Sequence, residues 1–169
     1  MMSKQRLGVL GVLVAAVLTA ITGCTPIVAM TPAADATDPA CAEVIVRLPP
    51  TIDDVPMRET NAQATAAWGD PSAVLLRCGV TVPGPSTLLC ATVRGVDWLR
   101  DDSDAPNYVF TTYGRDPAVE VIVNGDAMSG TNALIELASA VGTIEPTRYC
   151  TNPDDVLGDS TPPSPSPAG

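Results

Sequence analysis

Histidine is missing from this 169-residue chain, and lysine occurs once, as Lys4. Those two absences remove much of the usual catalytic repertoire. Ser-His-Asp and Cys-His catalysis, Schiff-base formation and histidine-held metals all need one residue or the other. Aromatic residues are few, with 2 Trp, 3 Tyr and 1 Phe, so each is expected first as core. No Cys-x-x-Cys spacing occurs, which removes the usual signature of a zinc site or a dithiol redox pair. Nucleophile-elbow, Walker and dinucleotide-binding glycine motifs are also missing. Basic residues are scarce, 9 Lys plus Arg against 19 Asp plus Glu. A surface of that sign repels phosphate backbones and anionic headgroups, so nucleic acid is not an expected partner.

No apolar run is long enough to make a plain membrane span. The longest, Leu7 to Ile21, has about 15 residues where a spanning helix needs about 20. Lys4 and Arg6 precede it and Gly23-Cys24 follows, the layout of a signal peptide with a small-residue cleavage site. Ile21-Thr22-Gly23-Cys24 resembles the bacterial lipobox, which implies a diacylglycerol on the Cys24 thiol and cleavage just before it. An ordinary secretory signal with a cysteine near the cut is the competing reading. Loss of residues 1–23 would take Lys4 and Arg6 with it, leaving 7 arginines against 19 acids, a net charge of −12. Abundant Ala, Val, Asp and Pro, with arginine in place of lysine, is also the composition that a high-GC genome tends to produce.

With Cys24 acylated, Cys41, Cys78, Cys90 and Cys150 remain, an even set that suggests two disulfides in an oxidising compartment. Residues 24–37, rich in Thr, Pro and Ala, read as a flexible tether, and the Pro/Ser-rich stretch 151–169 reads as a disordered tail. The folded part is then expected over 38–150, with no internal repeats.

A helix is expected from Asp38. Asp38 caps it, Pro39 suits its first position, Cys41, Val44, Ile45 and Leu48 form one apolar stripe, and Pro49-Pro50 ends it. Glu43 and Arg47 pair at i,i+4, and a strand over Glu43–Leu48 is the rival assignment. Strands are expected at Thr65–Trp68, Val74–Val80, Leu88–Leu99, Tyr108–Tyr113 and Ala118–Val123. Turns at Pro83-Gly84-Pro85 and Gly114-Arg115-Asp116-Pro117 would make two hairpins. Ser129 or Thr131 caps a last helix, with Leu134, Leu137, Ala138 and Val141 on its apolar stripe and Gly142 at its end. The expected fold is α+β, a mostly antiparallel sheet of about five strands with both helices on one face. A hairpin centred on Gly84 would put Cys78 opposite Cys90, leaving Cys41 to pair with Cys150, although two other connectivities stay open.

The chemistry that remains is carboxylate, aromatic and arginine. Asp53-Asp54, Asp101-Asp102-Asp104 and Asp154-Asp155 are clusters whose simplest reading is solvated loop, and Asp102 with Asp104 is only a fragment of a calcium loop. A glycoside-cleaving pair would need two acids about 5 to 10 Å apart. Trp68, Asp70, Asp97, Trp98, Arg115 and Asp116 cluster at expected strand ends and turns, where they would form a ligand rim. The competing reading puts both tryptophans in the core and leaves Arg115 bracing a turn.

Thr65-Ala-Ala-Trp68-Gly-Asp-Pro71, Leu76-Arg-Cys-Gly-Val80, Gly95-Val-Asp-Trp98 and Thr112-Tyr-Gly-Arg-Asp-Pro-Ala-Val-Glu-Val121 occur in that order. Together with Ala40-Cys41 and Arg148-Tyr149-Cys150 they resemble the actinobacterial domain-of-unknown-function 3515 family. The resemblance implies an exported or lipid-anchored envelope protein of high-GC Gram-positive bacteria and supplies no activity. The function expected is therefore a non-catalytic binding or assembly factor on the outer face of the cytoplasmic membrane. Its partners would be the membrane, through the lipid on Cys24, and an envelope protein or cell-wall ligand. No cofactor or metal is called for. The alternative is a carboxylate-dependent hydrolase acting on a cell-wall glycan or peptide.

Overall fold

A computed structural model describes residues 26–151. Cys24, the expected signal peptide and nearly all of the Pro/Ser-rich tail lie outside the described residues. Two helices, α1 (Pro39–Ile45) and α2 (Gly130–Val141), accompany eight strands. These are β1 (Thr51–Ile52), β2 (Val55–Arg58), β3 (Thr65–Trp68), β4 (Val74–Val80), β5 (Leu89–Val93), β6 (Val96–Asp104), β7 (Asn107–Thr112) and β8 (Ala118–Asn124). All pairings are antiparallel, in the spatial order β1-β2-β3-β4-β8-β7-β6-β5.

The α+β class is as the sequence suggested, but the sheet has eight strands where five were expected. Two tight turns account for the three additional strands. Asp53 and Asp54 sit at φ 46° and 63° between β1 and β2, and Arg94 and Gly95 at φ 51° and 80° between β5 and β6. Positive φ at both central residues is the two-residue hairpin geometry that matches strand twist. Asp-Asp and Arg-Gly are weaker signals for it than Asn-Gly, so the first hairpin passed as an acid cluster. The second passed as part of one long strand.

Period-two alternation divides the sheet into two faces. Val74, Leu76 and Cys78 on β4, Val119, Val121 and Val123 on β8, and Phe110 and Trp98 beyond them are all buried on the helical side. Cys41 and Val44 of α1 and Leu134, Leu137 and Val141 of α2 close that core. Ser129 caps α2 as anticipated, accepting from the Asn132 N–H at 3.5 Å, and Gly142 ends it. Asp38 caps α1 by accepting from the Ala40 N–H at 2.7 Å.

The disulfide pairing differs from the sequence expectation. The bonds are Cys41–Cys78 and Cys90–Cys150. The reason is topological: β8 occupies the edge of β4 that β5 would need for a Gly84 hairpin. The segment after β4 instead crosses to the far edge, so β8, β7 and β6 separate Cys78 from Cys90. Cys78 faces the helices and meets the buried stripe of α1, whereas Cys90 faces away from them and meets the departing chain at Cys150.

The expected tether is also different. Its described part, residues 26–37, lies along the domain as a strap. Val28 bridges to Thr60, Met30 N–H donates to Asn61 Oδ1 at 2.7 Å, and Asp35 N–H donates to the Gly79 carbonyl at 3.0 Å. Gly79, at φ 91°, is needed there because a Cβ would collide with the Asp35 backbone.

Candidate functional site

Of the six residues expected to form a ligand rim, the structure brings no ring together. Trp68 and Trp98 share the helical face, but β4, β8 and β7 stand between their strands. Trp68 is fully buried, and its Nε1–H donates to the Pro49 carbonyl at 3.1 Å. Asp70 is exposed and ion-paired with Arg58 at 3.0 Å. Arg115 is 3% exposed and donates to the Ile144 and Gly95 carbonyls, bracing two turns from inside. Burial lowers the pKa of its guanidinium, while Asp97, Glu145 and Tyr149 act to raise it. Asp116 is exposed.

Asp97 is the one buried carboxylate among the described residues. One of its oxygens accepts from Thr92 Oγ1 at 2.6 Å and the other from the Cys150 N–H at 2.7 Å. Both are thus committed to fixing the chain beside the second disulfide. Asp53-Asp54 form the β1–β2 turn, and Asp101, Asp102 and Asp104 occupy the outer part of β6. Among the described residues no group of three or more Cys, Asp or Glu is placed to hold a metal ion.

What the fold does assemble is a cavity of about 300 Å³ at the other end of the sheet, between β5–β7 and the start of α2. Its walls come from Leu89, Ala91 and Val93 of β5, Trp98 and Arg100 of β6, Tyr108 and Phe110 of β7, and Met128 to Thr131 with Leu134. The size is at the lower end of the range for small-molecule pockets, and the mix of apolar wall with few polar groups is typical of them. Leu89, Ala91, Ser129 and Thr131 are exposed, so the cavity opens between the sheet edge and the first turn of α2. Gly130 lets that turn come down on the sheet: a Cβ there would stand 2.8 Å from Phe110 Cζ.

Two polar features mark the cavity. Trp98 is 1% exposed, and its Nε1–H is buried without a hydrogen-bond partner among the described residues. A buried donor left unpaired costs about 1–3 kcal/mol. Arg100 lies over the Tyr108 ring, 4.8 Å from its centroid, and its Nε donates to Asp102 Oδ1 at 2.6 Å.

A second concavity, of about 640 Å³, lies on the opposite face between the strap and the β4–β5 connection. Its charges satisfy one another, since Arg77 Nε and Nη2 both donate to Glu120 Oε1, at 2.9 and 2.6 Å. None of its lining side chains has a buried polar atom without a hydrogen-bond partner.

Of the cavity residues, only Trp98 was expected at a ligand site; Ser129, Thr131 and Leu134 were expected only as cap and apolar stripe of the last helix. Arg100 follows Trp98 by two positions and so shares its face. That relation was hidden while Leu88–Leu99 was read as one strand ending before Arg100.

The family's profile, described as protein of unknown function (DUF3515), matches residues 7–150. The chain belongs to that family. No curated protein and no solved structure matches it.

Proposed function

We propose that this chain is a lipid-anchored cell-envelope protein that binds a ligand without chemistry of its own, outside the cytoplasmic membrane. The lipobox-like Ile21-Thr22-Gly23-Cys24 supports the anchor, and two disulfides suit an oxidising compartment. No helix among the described residues is long and apolar enough to cross a membrane. The observation that carries the binding reading is the cavity at Trp98, where a buried indole N–H lacks an acceptor beside an apolar wall open to solvent.

The test uses the exported protein from its native host. The mature N-terminus should be a diacylglyceryl-modified Cys24, and Cys24→Ser should release the protein from the membrane. For the cavity, protein purified from envelope extract should retain a small molecule, seen by mass spectrometry, that an Ala91→Phe variant with a filled cavity loses. Identical extracts from both forms would overturn the binding reading. An unmodified Cys24 would overturn the anchor alone.

A further inference from the structure

The register of the sheet grades the cavity wall from polar to apolar. Leu89, Arg100 and Phe110 form one cross-strand row, Ala91 and Trp98 lie in the next, and Val93 and Val96 in the one after. Gly130 packs on Phe110, so the first turn of α2 stands over the Arg100 row. Gly130 and Thr131 open that helix, and the N–H groups of such positions have no intrahelical acceptor. The helix dipole adds partial positive charge at the same place. Arg100 adds a guanidinium that is ion-paired through Nε with Asp102 and whose two Nη groups have no hydrogen-bond partner among the described residues. Away from this end the lining is Ala91, Val93, Trp98 and Leu134, apolar except for the unpaired indole N–H.

We infer that the cavity takes an amphiphile with an anionic head, a carboxylate or phosphate. The head seats against Arg100 and the first turn of α2. The apolar body lies along Ala91 and Trp98 beneath Leu134. This rests on the cavity being the binding site proposed above. Two sources of positive potential converge on the head: the Arg100 guanidinium, paired on its far side with Asp102, and the first turn of α2, whose free N–H groups are the positive end of the helix dipole. Each favours an anion over a neutral polar group.

Decanoate and decanol, both kept below the concentrations at which they self-associate, separate the two parts of this inference. Their apolar bodies match and their heads differ in charge. In nitrogen-proton correlation spectra of the exported chain, decanoate should shift the Trp98 indole N–H and leave that of Trp68 in place. It should bind about tenfold more tightly than decanol, the worth of one charge-assisted contact. Arg100→Gln should remove that tenfold preference, and Arg100→Lys should keep most of it. Phosphate added alone should compete weakly with decanoate if the head site is general for anions, whereas hexanoate competing in its place would show that the apolar body is required. Equal binding of decanoate and decanol overturns the anionic head while the cavity stands as a site. Decanoate binding that leaves the Trp98 resonance unmoved overturns the placement. Failure of both probes to bind overturns the inference together with the cavity reading.

Discussion

Each half of the sheet is built around one tryptophan and one disulfide, but the two halves are filled differently. Under α1, Trp68, Val74, Leu76 and Cys78 are fully buried, and the Trp68 indole donates to Pro49. Under the start of α2, Trp98 is almost as deeply buried, yet its indole is unpaired and a cavity of about 300 Å³ lies against it. The same residue type on the same face therefore has two roles. Trp68 completes a core, whereas Trp98 lines a cavity with its one polar atom buried and unpaired. Burial alone does not distinguish them; the state of the one polar atom does.

The largest effect expected is in the filled half. Replacing Cys41 and Cys78 together by Ala opens a loop of 37 residues and should cost about 4 kcal/mol in denaturant unfolding. A cost under about 1 kcal/mol would mean that packing of α1 on β4 holds this half without the bond. Next comes a paired substitution that tests the comparison directly. Trp68→Phe orphans the Pro49 carbonyl and thins the core, an expected loss of about 3 kcal/mol. Trp98→Phe removes a donor that was already unpaired, so its net cost should stay within about 1 kcal/mol. Equal losses at the two sites would erase the distinction.

A smaller effect is expected at the Arg77–Glu120 pair, half-buried on the open face of the sheet. With side chains 33% and 16% exposed, it should contribute about 1 kcal/mol by a double-mutant cycle with Met and Gln. The smallest concerns Asp101, whose carboxylate accepts the Ser103 N–H at 2.8 Å. That backbone bond, with a side-chain bond from the same serine, holds its pKa below 3.8. A lowered folded pKa contributes stability above the unfolded value and loses it as pH falls through the folded one. Carboxyl titration by NMR should therefore place Asp101 below free aspartate. Ser103→Pro, which removes the N–H, should bring it back up.

Much of the fold was legible in the sequence, and the failures have specific causes. Val74–Val80 is the strand expected from its apolar pattern, and the Ser129 cap and Gly142 stop bound α2 as residue chemistry predicts. Local signals of this kind are strong because each depends on a few neighbouring residues. The disulfides were misread because even spacing about Gly84 describes a hairpin only if the two strands are neighbours. That depends on where β8 inserts, which is a non-local fact. Hidden turns at Asp53-Asp54 and Arg94-Gly95 cost three strands, and the second concealed the cavity. Once β6 is seen to begin at Val96 and run past Asp101, Trp98 and Arg100 fall on one face by simple alternation. The proposed rim failed for a different reason: Trp68 and Arg115 found their partners inside the protein.

The strap along residues 26–37 bears on how the protein stands in its surroundings. Arg58 Nη2 donates to the Pro26 carbonyl at 2.5 Å, so the body already grips the chain two residues after Cys24. With the lipid proposed for Cys24, Cys24 and Thr25 leave slack of only about 7 Å between bilayer and domain. A leash that short would make the end of β2, at Arg58, the foot of the molecule. The cavity at β6 lies five strands from β2, about 24 Å across the sheet at about 4.8 Å per strand. The foot would rest on the headgroups while the cavity faced outward at a fixed standoff, so the strap would set the working height of the site.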